Sequence, residues 1–398
     1  MRFDLTTCAV VLAGTASATT ATTQSKWRPD PTFGTDVLAG MGMINVAINQ
    51  LTSGVGFDTS KCSLRNAVVR REWSTMSNSE RTAYSNAVLC LATKPSKSPA
   101  GFAPGAKNRY DDFVAHHVNN TLNIHATANF LAWHRLFVWN YEQALRNECG
   151  YKGYQPYWNW GKSASDPVNS AYFDGSAYSM GGNGVFAAHN CTAALPNGLN
   201  CIPPGAGGGC VTTGPFKDWI VNISPTAPTS DAVQVPAPNF LAYEPRCLSR
   251  DVSQWVSSQW LGDAGITDLI SNYKTIGPFQ DFMQGIVDGV PFKDGFFGVH
   301  AGGHYTIGGD PGGDFFVSPG DPMFWLHHGQ IDRTWWIWQN QDLKTRQNAV
   351  GGSIYLFNDP PLPLGTLNDW MDMGVCGKSA TIGDVMNTQG EFMCYIYL

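Results

Sequence analysis

Nine histidines occur in this 398-residue chain, and eight of them fall into two tight groups. His116, His117, His125 and His134 form the first group, and His300, His304, His327 and His328 the second. Only His189 stands apart. Both groups coincide with helical periodicity. Arg109 to Val118 and about Asn129 to Asn147 carry apolar residues at three- and four-residue spacing around the first, and a run from about Pro322 to Gln341 carries the end of the second. Side chains on facing helices converge on a bundle interior, which makes such helices a natural frame for metal ligands. The pattern predicts a mainly α protein: a four-helix bundle holding a dinuclear site, with long irregular loops and a few short strands.

The spacing within each group says how ligands can converge. His300 and His304 are four residues apart, so both imidazoles face one way on a helix, and His328 comes from the later helix. In the first group, His117 lies on one helix and His134 on the next. His125 precedes that second helix, and a nine-residue step would put it on the opposite face of a continuous helix, so it should approach from a loop. Each half thus offers three imidazoles. The His-x-x-x-His spacing also occurs in zinc proteases, but there Glu follows the first His, and here that position is Ala301. Imidazole suits copper, zinc, iron and nickel. Non-haem iron oxygenases need a carboxylate, zinc hydrolases usually include one, and electron-transfer copper needs a Cys. None stands beside these histidines. Two three-imidazole sites face to face could hold a pair of coppers with dioxygen between them.

The rest of the chain narrows its setting. Hydrophobic residues make up 43%, enough for a sizeable core, while charged residues are only 14%. The net charge of −6 gives no reason to expect nucleic acid as a partner. Arg2, the apolar run Cys8 to Gly14 and the small residues Ala16, Ser17 and Ala18 read as a secretory signal over residues 1–18. That run is too short to span a bilayer, and no later apolar segment is long enough, so a secreted, extracellular protein without a membrane anchor is expected. Loss of Cys8 leaves Cys62, Cys90, Cys149, Cys191, Cys201, Cys210, Cys247, Cys376 and Cys394. An odd number leaves at least one thiol outside any internal disulfide, and the pairing is not readable. Three Asn-x-Ser/Thr sequons occur; Asn190 and Asn222 lie in loop-like sequence and are the better glycan candidates, whereas Asn119 falls inside a histidine group.

Residues 19–398 read as one catalytic domain. Residues 62–94 look helical, with Ser77 or Ser79 as N-cap; about 161–245 turns to Gly, Pro, Ser and Asn and reads as a loop-rich insertion stapled by Cys191, Cys201 and Cys210. Helical character returns around Val252 to Tyr273 and Phe279 to Val287, and Ser353 to Phe357 and Phe392 to Leu398 look strand-like.

Four blocks carry a family resemblance: RYDDFVAHH, NIHATANFLAWHRLFVWNYEQAL, GVHAGGHYTIGG and SPGDPMFWLHHGQIDRTWW. They resemble the paired copper motifs of tyrosinases and catechol oxidases, in their short secreted fungal branch. The resemblance implies two copper ions, one held by His117, His125 and His134 and the other by His300, His304 and His328, with His327 merely adjacent. It places the family's last carboxylate at Asp332, one turn from His328, as an orienter of an imidazole. Asp321 reads as the N-cap of the last helix. Phe315, Ala301 and Tyr305 become candidates for gating the substrate, with no catalytic residue beyond the copper ligands.

The implied activity is oxidation of ortho-diphenols (catechols) to ortho-quinones by dioxygen. Departures from the pattern refine this. Asn123 stands where many members carry a thioether-forming Cys, so no such bridge is expected. Ala301 stands where members with strong monophenol activity carry Asn, which favours diphenol oxidation over hydroxylation. The chain stops where the catalytic core of such proteins ends, at Tyr395-Ile396-Tyr397, so no C-terminal shielding domain is expected. The alternatives are a true tyrosinase or ortho-aminophenol oxidase and, more remotely, a haemocyanin-like oxygen carrier, with a zinc hydrolase as a third class.

Overall fold

A computed structural model describes residues 27–52, 62–194, 200–227, 239–390 and 392–398. The segment read as a secretory signal lies outside these residues. The described chain is mainly helical: α1 (Phe33–Leu51), α2 (Asn78–Leu91), α3 (Arg109–Ile124), α4 (Phe130–Cys149), α5 (Gln254–Trp260), α6 (Asp263–Asn272), α7 (Ile276–Met283), α8 (Gly298–Ile307) and α9 (Met323–Gln341).

Local chemistry sets the boundaries. Ser77 caps α2 in a reciprocal box with Glu80, and Asn108 caps α3 in the same way with Asp111. α4 stops at Gly150, which adopts the left-handed conformation (φ 68°) that a residue with a Cβ resists. Residues ahead of Ser77 depart from the helix expected there. Val68–Arg70 is a strand paired in parallel with Tyr395–Tyr397, because a β-branched pair has a partner strand to lie against. The Ser353 to Phe357 run is not a strand either. It bridges only at Ser353, to Leu364, and then turns through a short 3-10 helix over Leu356–Asn358.

α9 is the axis of the molecule: every residue from Met323 to Asn340 is buried. α1, α4, α6 and α8 pack along it, and α3 packs on α4. A helix apolar and polar all round can lie inside only if its charges are matched. Asp332 accepts hydrogen bonds from Arg135 Nε (2.6 Å), Arg70 Nη1 (3.3 Å), Tyr395 Oη (2.6 Å) and Tyr397 Oη (2.6 Å). Burial opposes its ionisation, yet the two guanidiniums and two phenols hold its pKa below the ordinary carboxylate value. The N-cap of α9 is Pro322 and not Asp321 as expected; Asp321, one residue earlier, accepts from Met323 N–H (2.8 Å) and pairs in a fork with buried Arg250.

Around this core the Gly- and Pro-rich stretch forms two-stranded ladders: Gly184–Phe186 with Gly208–Val211, Thr192–Ala194 with Asn200–Ile202, and Ile220–Ile223 with Tyr243–Cys247. Disulfides Cys191–Cys201 and Cys210–Cys247 staple it, Cys90–Cys149 joins the ends of α2 and α4, and Cys62–Cys394 ties the two ends of the described core. Cys376 is the odd thiol, and its pKa is pushed up by burial, which leaves it inert. No helix among the described residues is long and apolar enough to cross a membrane.

Candidate metal centre

The fold brings both histidine groups to one place. His117 lies on α3, His125 is the residue that ends it, and His134 lies on the first turns of α4. His300 and His304 lie on α8 and His328 on α9. His125 adopts extended backbone (φ −125°, ψ 143°), and Ala126 follows in the left-handed region, so the chain reverses there into α4. In each group the candidate ligand atoms lie within 4.8 Å of one another. The groups touch: the His134 ring stacks on His328 with centroids 4.4 Å apart, and His125 lies 5.7 Å from His300. Phe324 stacks on His328 (4.1 Å), and Phe130 packs on His300 (4.9 Å), closing the sides with apolar rings.

Hydrogen bonds decide which nitrogen each ring presents. His117 Nδ1–H donates to Phe316 O (2.7 Å), His125 Nδ1–H to Thr121 O (2.9 Å), His134 Nδ1–H to Phe130 O (2.7 Å) and His304 Nδ1–H to Gly312 O (3.2 Å). A carbonyl only accepts, so in the neutral ring the proton sits on Nδ1 and the Nε2 lone pair is bare. His117 Nε2, His134 Nε2, His300 Nε2 and His328 Nδ1 are buried with no hydrogen-bond partner. Burial drives the pKa values of all six well below 6.5, to about 3 for His125 and about 4 for His304. Neutral imidazoles with unpartnered buried nitrogens converging from two sides are what metal ions would satisfy.

Comparison with known proteins agrees. Residues 107–341 match the model of the common central domain of tyrosinase. The chain belongs to the tyrosinase family. Relatives include tyrosinase-like protein orsC of Emericella nidulans, 42% identical over 76% of this chain and 82% of its own length. Tyrosinase P of Aspergillus terreus is 38% identical over 83% and 91%. A solved structure of a polyphenol oxidase variant from Thermothelomyces thermophila superposes with a TM-score of 0.85 at 40% identity, covering 93% of this chain and 98% of that one. The protein is therefore a copper-dependent oxidoreductase, and its donor set fits the dinuclear copper centre of tyrosinases.

Within this tyrosinase fold the remaining histidines have other work. His327 Nδ1 accepts from Trp160 Nε1–H (3.1 Å) and its Nε2–H donates to His300 O (3.1 Å). Both nitrogens are spent, so His327 holds α8 against α9 rather than offering a lone pair. One glycine of the GVHAGGHY block follows from this contact: a Cβ on Gly303 would lie 2.1 Å from the His327 ring. His116 bonds Asp372 O (3.0 Å) and stacks on Trp133, away from the centre. His189 is not the plain surface residue its isolation suggests, since its Nε2 meets Asp251 Oδ2 at 2.9 Å. Asp332, expected to orient an imidazole, instead takes all its hydrogen bonds from arginines and tyrosines. It locks Arg135, next to His134, to α9 one turn beyond His328. Asn222 loses its standing as a glycan site because it is buried on a strand with its Nδ2 donating to Asp111 (2.8 Å), whereas Asn190 is exposed.

A cavity of about 290 Å³ opens beside the centre. His125, His300 and His304 form part of its wall, and Ala301, Tyr305 and Phe315 line it as the sequence suggested. The Phe315 ring lies 4.6 Å from that of His125. Phe292 and Phe357 also line it. Sequence reading missed both, because neither lies near a motif and each reaches the cavity through an unusual backbone turn.

Proposed function

We propose that the protein oxidises catechols to ortho-quinones with dioxygen, with His117, His125 and His134 holding one copper and His300, His304 and His328 the other. Two catechols and one dioxygen give two quinones and two waters. Two coppers bound by these rings would supply the redox chemistry and the acidification of the phenol. The observation that carries the reading is the contact between the two imidazole groups beside an apolar cavity. The chain itself contributes geometry. Backbone carbonyls fix four rings, Phe130 and Phe324 keep the donor set dry, and Phe315 stands over His125 where an entering ring must pass.

No side chain in the cavity stands ready as a strong base. Asp314 is occupied by the backbone N–H groups of Thr226, Ala227 and Phe316. Ala301 offers no polar group beside His300, which favours diphenol oxidation over monophenol hydroxylation. The four disulfides favour an oxidising, extracellular setting, and exposed Asn190 is the glycan candidate that remains.

Oxygen uptake by the copper-loaded protein with catechol, tyrosol and 2-aminophenol side by side tests the reading. Rapid turnover of catechol with little on tyrosol is expected. Fast hydroxylation of tyrosol would make it a true tyrosinase. Reversible dioxygen binding without quinone formation would make it a carrier.

A further inference from the structure

Three residues other than glycine that line the cavity adopt left-handed backbone: Ala126 (φ 49°), Phe292 (φ 51°) and Phe357 (φ 52°). They come from three separate stretches of chain. Such a conformation strains a residue that carries a Cβ and would cost glycine almost nothing. Ring burial does not account for Phe357, which is 44% exposed. Phe292 is only partly buried, edge-on to Phe297 (5.3 Å) and Tyr305 (6.1 Å). Phe292 packs on the cluster of Phe297 and Tyr305, but at Phe357 the strain holds an exposed ring at the cavity mouth, and that points to a ligand.

Size and charge say which ligand. A cavity of about 150 Å³ accommodates benzene, and this one, at about 290 Å³, has room for a second group of similar size. Among the described residues no Lys or Arg lines it, and the one carboxylate that does, Asp314, is turned into backbone N–H groups. A substrate carboxylate would find no cation there. Resting on the oxidase reading above, we infer that Phe292 and Phe357 form an outer subsite that clasps a bulky, uncharged apolar group, aromatic above all, carried by the phenol. The substrate class is then a neutral aryl- or alkyl-substituted catechol and not a free amino acid.

The test uses the copper-loaded protein with catechol, 4-phenylcatechol and 3,4-dihydroxyphenylalanine. The wild type should show its highest kcat/KM on 4-phenylcatechol and its lowest on the amino acid. Phe357→Gly and Phe292→Gly should each raise KM for 4-phenylcatechol about five- to tenfold, the worth of a lost aromatic contact. Catechol should be left within about twofold by the same logic. The Tm of Phe357→Gly should stay level or rise, because glycine relieves the backbone. Equal losses on both catechols, a falling Tm with general loss of activity, or preference for the amino acid would each overturn the subsite while leaving the oxidase intact. Absence of oxygen uptake with every catechol would instead remove the reading on which it rests.

Discussion

In the first half of the centre His117, His125 and His134 are each anchored through Nδ1 to a backbone carbonyl, at 2.7 to 2.9 Å. In the second, only His304 has such an anchor, and it is longer, at 3.2 Å. His328 has a bare buried Nδ1 and leans its Nε2 toward His304 Nε2 at 3.3 Å. The first set of donors is thus arranged before any metal arrives, while the second is positioned by helix packing, through His327, Gly303 and Phe324. Preorganisation lowers the ordering cost of binding. The first group should therefore hold copper more tightly, and the second should respond more to changes in its surroundings.

Removing one ring from each half gives the largest effect. His117→Ala and His300→Ala should both reduce catechol oxidation by more than about a hundredfold, since even losing a partner of a ligand costs about 10–100-fold. Their copper contents should differ. His300→Ala should keep close to one ion per chain at a copper concentration where His117→Ala keeps clearly less. Equal retention, measured by metal analysis after desalting, would erase the asymmetry.

Asp332 should act on both halves alike, because it joins Arg135 on α4 to α9. Asp332→Asn takes the carboxylate from buried Arg135, while Arg70 keeps Glu142 at 3.0 Å, and should cost about 3–5 kcal/mol. The pH dependence has a definite sign. A carboxylate held below its unfolded value stabilises the fold above about pH 4 and loses that contribution as pH falls further. The gap between wild type and Asp332→Asn in denaturant midpoint should therefore narrow progressively as pH falls below about 4. A gap that does not narrow on acidification would mean the carboxylate is not the source.

How much of this was legible beforehand depends on what each residue does. The convergence of two histidine groups was readable because helix spacing and side-chain chemistry are local. The bend at His125 was readable because nine residues cannot return to one helix face. The duty of Asp332 was not. Its proximity to His328 in sequence suggested an imidazole partner, but its actual donors are Arg135 on α4 and, from distant parts of the chain, Arg70, Tyr395 and Tyr397. Asn222 misled for the same reason: a sequon does not reveal that its amide lies inside a strand pair. Phe292 and Phe357 depend on backbone angles that no apolar pattern encodes.

Gly303→Ala probes the second half alone. The added Cβ would meet the His327 ring at 2.1 Å, so α8 must shift, at about 1–3 kcal/mol. Copper retention should fall for the second group with the first unchanged. A crystal structure showing α8 in place with His327 merely rotated would contradict the rigid seating argued here.

The smallest effect should come from Trp160→Phe, which touches no ligand. It removes the N–H that His327 Nδ1 accepts and leaves that nitrogen buried, a loss of about 1–3 kcal/mol. His327 then has less to hold it in the tautomer that donates to His300 O. Because His300 lacks a carbonyl anchor of the kind that fixes His117, the looser carbonyl should be felt at its ring. Copper affinity of the second group should drop about tenfold, at the low end of what a ligand's supporting partner contributes. Competition with a chelator should show one ion released earlier than in wild type and the other at its usual point. If both ions left earlier together, anchoring by backbone carbonyls would not insulate the first group, and the contrast between the halves would have to rest on ring packing alone.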